Sequence, residues 1–282
     1  MSAVNNNAIA TVSPATVAAE LQATYEILNP QSDLVAARKE NMDDGETISE
    51  QDMLKARMPS GGGTAWQIFD GPNLVDTVPE ISGILCYIAK KGTLWPHEDI
   101  GGGLRPVLTT NDLKTAYRVG EDLGDIDPKE LDRCSNPDGT IRWQELSYCQ
   151  NGSGKGGRGR RAKENRVLAI LRAGDVLPIL VTITPGSLTT VVPWIKRFAA
   201  PAYRHEVTLG LRRVQSGNGI AFAQVNPKID RKLSPEQGEI IRQCYALPLA
   251  AMFGGSAVSD ELAGVESPAA PALPPVSESV PF

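Results

Sequence analysis

The sequence predicts a mainly β protein of the α+β class, with short helices and irregular segments at both ends. Residues 81–88 form a β-branched and aromatic run, as expected of a buried strand. Two further strand-like runs, 203–214 and 220–225, flank the turn Gln215-Ser216-Gly217-Asn218-Gly219, which indicates a hairpin. The chain also holds 27 glycines and 21 prolines in 282 residues, an excess that points to irregular or disordered parts.

Composition divides the chain into three regions. Residues 1–63 are acidic and end in Gly61-Gly62-Gly63, which is typical of a weakly ordered N-terminal arm on a flexible joint. Residues 64–254 contain the strand-like runs and predict one folded domain. Residues 255–282 are rich in Pro, Ser, Ala and Glu, a composition that predicts a disordered tail.

The first half of the domain predicts short strands separated by turns. Strand character begins at Trp66, and Lys90-Lys91-Gly92 is expected to form a turn after the strand at 81–88. Further strands are expected at 105–109 and 140–148, with turns at 124–139; residues 112–119 fit either a helical turn or a strand.

The second half gives clearer patterns. Residues 167–171 and 177–184 are apolar runs joined by a short turn, which predicts a second hairpin. Residues 187–198 carry apolar side chains at helical spacing and are entered at Pro185-Gly186. Ser234-Pro235 predicts the start of a final helix that ends before Pro248.

The sequence carries no sign of a membrane or secretory protein. No apolar run reaches the roughly 18–20 residues that cross a bilayer, and the N-terminus lacks a secretory signal pattern. The four cysteines are widely spaced and give no disulfide framework, so we expect a cytoplasmic protein.

Charge is strongly segregated along the chain. Residues 1–150 carry a net charge of −11, residues 151–232 carry +11, and residues 233–282 carry −5. A basic centre between acidic ends indicates binding to a polyanion, and an ordinary solvated basic face is the alternative. The basic centre begins with the glycine-rich run NGSGKGGRGRRAKENR at 151–166, which predicts a mobile cationic loop before a buried strand.

The candidate contacts to nucleic acid are cations interspersed with aromatic residues. Cations neutralise phosphates, and aromatic faces stack on unpaired bases. Positive charge on several strands of a small barrel suits an OB-type fold. The candidates are Lys155, Arg158, Arg160, Arg161, Lys163, Arg166, Lys196, Arg197, Arg204, Arg212 and Arg213, with Trp194 and Tyr203 as stacking residues. Phe222, flanked by alanines, is interpreted as a core residue.

The last residues, Glu278-Ser279-Val280-Pro281-Phe282, resemble the C-terminal tip of bacterial single-stranded DNA-binding proteins. In that family an acidic disordered tail ends in a hydrophobic residue, Pro and Phe. The resemblance implies that Val280, Pro281 and Phe282 dock replication and recombination enzymes.

A second resemblance covers residues 79–213, about half of the chain. The stretches Pro79-Glu80-Ile81-Ser82-Gly83 and Cys134-Ser135-Asn136-Pro137-Asp138-Gly139 are similar to phage and mobile-element proteins associated with single-stranded DNA binding. The likeness continues through Cys149, the loop at 152–159 and Val176-Leu177-Pro178. It implies sequence-independent binding of single-stranded DNA in replication or recombination, in the cytoplasm of the host cell if a phage encodes the chain.

Catalytic and metal-dependent alternatives have weaker patterns. Cys134 and Cys149 lack the C-x-x-C partners of a structural zinc site, and Gly156 follows Lys155 where a nucleotide-binding loop needs Ser or Thr. The carboxylates at 121–127 leave a metal-dependent nuclease open, and a virion or scaffold protein with a basic interaction loop is the other alternative. We expect no enzyme activity, no metal and no cofactor; the sequence leaves monomer and homo-oligomer open.

Overall fold

The computed structural model describes residues 21, 23–27, 48–97, 105–157, 159–217 and 219–254. Over these residues the protein is mainly β, with an open mixed sheet and a few short helices. In chain order the elements are β1 (Lys55–Arg57), β2 (Trp66–Asp70), β3 (Asn73–Val78), β4 (Glu80–Leu94), β5 (Leu108–Thr110), β6 (Thr115–Arg118), α1 (Pro128–Cys134), β7 (Ile141–Arg142), β8 (Lys163–Leu171), β9 (Ile179–Ile183), α2 (Pro185–Ile195), β10 (His205–Gln215), β11 (Ala221–Lys232), α3 (Pro235–Ile241), a π-helical turn (Arg242–Ala246) and α4 (Leu247–Gly254).

The described residues divide into two compact units, where the sequence predicted one domain. The described part of the first unit lies in residues 1–92, 111–113 and 164–257, and that of the second lies in residues 93–110 and 114–163. Each unit is therefore described by itself.

The sheet of the first unit places its strands in the order β3-β2-β1-β9-β8-β4. β1 pairs antiparallel with β2 and parallel with β9. β10 pairs antiparallel with both β4 and β11. The two hairpins expected from the sequence are confirmed as β8–β9 and β10–β11. The expected helix after Pro185 is confirmed as α2.

The central strands of the first unit are buried on both faces. Along β8, Val167, Ala169 and Leu171 belong to one apolar cluster, while Leu168 and Ile170 belong to a second cluster. Side chains of a strand alternate between its two faces, so this division places one core on each side of β8. An uninterrupted apolar run is the sequence pattern that such a strand requires.

Gly83 marks a close approach between β4 and β8. A Cβ atom at this position would lie 2.1 Å from the carbonyl oxygen of Leu171, closer than any side chain allows. Its φ of 158° also lies in a region that favours glycine. The backbone spacing of the two strands therefore depends on the missing side chain.

Part of the predicted N-terminal arm is integral to the first unit. Leu21, Tyr25 and Ile27 are buried in one of its apolar clusters. The Tyr25 hydroxyl donates a hydrogen bond to Glu206 Oε1 at 2.6 Å. β1 lies between β2 and β9, inside the sheet. The boundary at residue 64 thus separates strands that the fold keeps together.

The turn expected at Lys90-Lys91-Gly92 is wrong, because β4 continues through these residues. Lys91 is only 8% exposed. Its Nζ donates to both carboxylate oxygens of Glu50, at 2.6 and 2.7 Å, and lies 5.2 Å from the centroid of the Phe253 ring. A buried cation needs such partners, which come from distant parts of the sequence.

The second unit contains the end of β4, followed by β5, β6 and β7. Strand β6 settles the alternatives left open for residues 112–119. The strand expected at 140–148 is reduced to β7, because the chain then turns through two 3₁₀ segments. Trp143 and Leu146 are buried three residues apart, the spacing of a 3₁₀ helix rather than of a strand.

Two helical features differ from expectation. Residues 124–139 include helix α1, whose Asp127 side chain accepts a hydrogen bond from the Lys129 N–H at 3.0 Å. The final helix begins at Ser234 as expected, with a capping box to Gln237. The chain then continues through the π turn into α4, which contains Pro248, so the expected end before this proline is wrong. The longer period of that turn accommodates a proline that would break a regular α-helix.

His205 is a buried titratable group in the first unit. Its ring stacks on Phe198 with centroids 4.4 Å apart, and its Nδ1 lies 3.1 Å from the Pro201 carbonyl oxygen. Burial lowers the pKa of His205 from its ordinary value, and the nearby charges of Lys232 and Arg204 act in the same direction. The folded protein therefore favours the neutral imidazole.

Acidification should destabilise the first unit through His205. A group with a lowered folded-state pKa stabilises the fold above its unfolded pKa, about 6.5 for His, and this contribution is lost as the pH falls. We predict that His205→Gln lessens the decline in unfolding free energy between about pH 7.5 and pH 5.5. Denaturant unfolding at several pH values measures it.

The chain supplies a matched control, because its only other histidine is His97, whose side chain is half exposed. His97→Gln should retain the decline of the unaltered protein. An equally steep decline in the His205 variant would contradict the prediction.

Candidate nucleic-acid interface

The β10–β11 hairpin extends beyond the sheet of the first unit. β10 pairs with β4 only from Glu206 to Gly210, whereas its pairing with β11 continues to Gln215 and Ala221. The far half of the hairpin, residues 211–225, is therefore not paired with β4. We call this half the distal hairpin.

Helix α2 covers the outer edge of the distal hairpin. The buried Ser187 hydroxyl accepts the Val225 N–H at 3.0 Å, and the Thr190 hydroxyl donates to the Val225 carbonyl oxygen at 3.1 Å. Gln224 Nε2 donates to the Gly186 carbonyl oxygen at 3.3 Å. These bonds satisfy a strand edge that would otherwise be open, and they fix the position of the hairpin.

The turn at Ser60–Gly62 supports the hairpin from the other side. A Cβ atom at Gly62 would lie 3.2 Å from both Arg213 Cγ and the Phe222 backbone nitrogen. The φ of Gly62 is 79°, in the left-handed region that glycine adopts without strain. Contact on two sides therefore holds the distal hairpin in one position.

One face of the distal hairpin combines a cation with apolar side chains. Register pairs Arg212 with Gln224 and Val214 with Phe222, so these four side chains share a face. Arg212 Nε and Nη2 both bond Gln224 Oε1, at 3.0 and 2.6 Å. Val214 and Phe222 are partly exposed, and the same alternation carried to the turn adds Ile220. We call Arg212, Val214, Ile220 and Phe222 the hairpin stripe.

Phe222 is the functional candidate that the sequence interpretation missed. The sequence predicts that Phe222 lies in the core. In the structure its ring lies against Gly186, where a Cβ atom would be 3.3 Å from the ring, and the side chain remains partly exposed. The alanines on either side of Phe222 make the run appear uniformly apolar, although Ile220, Phe222 and Gln224 alternate with them. Pairing this alternating set with Arg212 and Val214 across the turn is the sequence signal that identifies the stripe.

The glycine-rich run of the second unit forms a hydrogen-bonded loop. The Gly152 N–H donates to the Gly159 carbonyl oxygen at 2.7 Å, and the Gly157 N–H donates to that of Gly154 at 2.9 Å. The Ser153 hydroxyl donates to the Tyr148 carbonyl oxygen at 2.8 Å. The expected mobile loop is thus closed by its own backbone and by one serine.

Arg161 anchors this loop. Its side chain is 9% exposed and forms an ion pair with Asp125. It also donates to the Pro96 carbonyl oxygen at 3.0 Å and lies 5.3 Å from the centroid of the Tyr148 ring. The hydrogen bonds from Arg161 lower the pKa of Asp125. The guanidinium already binds groups of the protein, so Arg161 is not a candidate for contact with nucleic acid.

The other cations of the run have different surroundings. Lys155, Arg160 and Lys163 are exposed. The Lys163 amine donates to the Arg160 carbonyl oxygen at 2.8 Å. Arg166, on β8, is partly buried, and burial lowers its pKa. Arg158 lies outside the described residues, and its contact with phosphate stays a prediction.

The candidates between α2 and β10 also differ in exposure. Lys196 and Arg197 are exposed just after α2. Arg204 is partly buried and donates to the Leu233 carbonyl oxygen at 3.1 Å. Tyr203 is partly buried against an apolar cluster.

Trp194 lies in the core rather than on a surface. It is 7% exposed and packs edge-on against Phe198, with centroids 4.8 Å apart. A covered indole presents no face to a base, so Trp194 is also left out of the candidate contact surface.

The described cations divide between the units. Lys155, Arg160 and Lys163 belong to the second, whereas Lys196, Arg197, Arg212 and Arg213 belong to the first. The tip residues Val280, Pro281 and Phe282 lie outside the described residues, so their docking role stays a prediction.

The carboxylates considered for a nuclease have local structural roles. Asp122 accepts the Gly124 N–H at 2.9 Å, Asp125 pairs with Arg161, and Asp127 caps α1. In the described part of the chain, no three His, Cys, Asp or Glu side chains are grouped to hold a metal ion. None of the four cysteines, all of which lie in the described residues, forms a disulfide, and the Cys149 thiol lies 3.1 Å from the Trp143 carbonyl oxygen.

Comparison of the chain with protein-family models, with curated proteins and with solved structures gave no match. None of the helices within the described ranges has the length and apolarity that a membrane span requires.

We predict that Arg161→Ala loosens the loop, whereas Lys129→Ala, at an exposed cation of the same unit, does not. The first change removes charge-assisted hydrogen bonds, each worth roughly 1.5–3 kcal/mol. Amide hydrogen exchange at Gly152, Gly157 and Ala162 should therefore be faster in the Arg161 variant alone. Unchanged protection in that variant would show that the loop is held without Arg161.

Proposed function

We propose that the chain binds single-stranded DNA without sequence preference, in phage or mobile-element replication or recombination. The bound strand would be protected, and partner enzymes would be recruited through the C-terminal tip. The observation that carries the proposal is the hairpin stripe, which places an exposed arginine beside a partly exposed aromatic ring on a braced hairpin.

The stripe supports this function because unpaired strands offer two kinds of surface. Phosphates attract cations, and exposed base faces stack on aromatic rings at roughly 1–3 kcal/mol per base. Arg212 and Phe222 supply one group of each kind, two register positions apart on the same face. Gln224 holds the Arg212 guanidinium in place. Neither group selects a base, which fits binding without sequence preference.

The loop of the second unit supports the same proposal separately. Lys155, Arg160 and Lys163 are exposed on a backbone that is closed by hydrogen bonds. A fixed loop orders its cations before a ligand arrives, which reduces the entropy cost of binding. We propose that these three residues contact phosphates, with Arg161 as the residue that positions the loop.

The tail supports the recruitment proposal through its composition. Residues 255–282 contain four acidic residues and no Lys or Arg, and they end in Val280-Pro281-Phe282. An acidic segment is repelled by the phosphates of DNA. An apolar tip at the end of a long segment suits a pocket on another protein.

We further propose that the strands of the first unit curve into a barrel of the OB type. The support is chain continuity: four strands lie between β3 and β4 in the order β3-β2-β1-β9-β8-β4, yet only Pro79 separates the two strands along the chain. A one-residue link between strands this far apart in the row favours curvature toward closure.

Binding of oligo-dT across a salt series tests the proposal. Affinity should fall steeply with salt, and Arg212→Ala should reduce the log–log slope by about 0.7, the value expected for one phosphate contact on a single strand. Phe222→Leu should weaken binding at least about fivefold and leave the slope unchanged, because it removes stacking rather than charge.

Arg172→Ala is the matched control, because this arginine lies in the same unit and is paired with Asp175. Its salt slope should equal that of the unaltered protein. No measurable affinity for oligo-dT, or an Arg212 variant with an unchanged slope and affinity, would overturn the proposal.

A further inference from the structure

The tip of the distal hairpin exposes an apolar side chain. Ile220 is 67% exposed, more than any other large hydrophobic side chain in the described ranges. Leu74 and Val75, each 53% exposed, lie on β3 next to the β2–β3 turn at Gly71-Pro72. Ile220 extends the partly exposed apolar side chains of Val214 and Phe222 to the end of a braced element, and an apolar surface of this kind suits a contact with another molecule.

Ile220 is held by its own turn. The Ser216 N–H donates to the Ile220 carbonyl oxygen at 2.9 Å, and the Ser216 hydroxyl accepts the Ile220 N–H at 3.1 Å. The Gly219 N–H donates to the Ser216 carbonyl oxygen at 2.9 Å. Both backbone groups of Ile220 are thus fixed by one serine, and the side chain stands on a rigid support.

Charge indicates what the tip contacts. Arg212 and Arg213 are adjacent on β10, so their exposed side chains leave the hairpin on opposite faces. The tip itself, residues 215–222, carries no acidic residue. Arginines on both sides of Ile220 suit a nucleic acid whose two phosphate backbones pass on either side of the tip. They suit an apolar protein surface less well.

We propose that Ile220 is a wedge that enters between neighbouring bases at the end of a duplex and opens it. This inference rests on the proposed function and adds an activity to it. Apolar side chains inserted between base steps unstack them, while cations beside the wedge hold the backbones. Arg212 and Arg213 hold the separating strands, and Phe222, next to Ile220 on the hairpin stripe, receives the first unstacked base. No nucleotide hydrolysis is needed, because binding of the released strand drives the opening.

The test uses a short forked duplex with a dT tail and a fluorophore–quencher pair at the fork. The full chain should open it, and Ile220→Ser should slow opening roughly tenfold, because the unstacking contact is lost. The salt slope for oligo-dT should stay unchanged, since no phosphate contact is removed, and opening should slow by a larger factor than the affinity for oligo-dT falls. Ile220→Leu, which keeps the apolar wedge, should retain opening.

Leu74→Ser is the matched control, because it removes another exposed apolar side chain from the same unit. It should open the fork as fast as the unaltered protein. Opening by the Ile220→Ser variant at the unaltered rate would overturn the wedge, and so would equal slowing in the Leu74 variant.

Two outcomes separate this inference from the proposed function. If the unaltered protein does not bind oligo-dT, the proposed function itself fails. If it binds oligo-dT tightly but leaves the fork closed, the binding function stands and the wedge is overturned. Thermal unfolding of each variant confirms that the substitutions act on the tip rather than on the fold.

Discussion

The position of the distal hairpin depends on two hydroxyl groups of α2. Ser187 and Thr190 satisfy the N–H and C=O of Val225, at the edge of a strand that has no other neighbour on that side in the described chain. Ser187 is fully buried, so loss of this bond would leave polar groups unpaired in the interior. The hairpin stripe and the fixed tip both follow from this attachment, because a detached hairpin of this length would be flexible.

The basic centre of the sequence serves more than one purpose. Arg161 and Arg172 form ion pairs with Asp125 and Asp175, whereas Arg212 is exposed to solvent. Composition counts all cations alike, so a net charge of +11 over residues 151–232 overstates the charge offered to a ligand. What distinguishes the two groups is an ion-pair partner together with burial of the cation, which only the folded chain supplies.

Local signals explain why much of the fold could be predicted. Both hairpins, helix α2 and the Ser234 cap follow from turn residues, apolar runs and capping residues that act within a few positions. The failures share a different cause. The strand continues through Lys91 because Glu50 pairs with it from about forty residues away. Phe222 is partly exposed rather than buried because β4 pairs with β10 only as far as Gly210 and does not extend beside the distal hairpin. Pairings of this kind leave no mark in a local pattern.

Ultraviolet crosslinking of the full chain to oligo-dT, followed by mass spectrometry of the crosslinked peptides, tests the central claim most directly. It locates the bound strand without any substitution in the fold. We predict crosslinks at Phe222 in the peptide that spans the distal hairpin, and at lysines of the loop at 155–163. Crosslinks confined to other parts of the chain, with the hairpin peptide unmodified, would contradict the claim that the braced hairpin receives the strand.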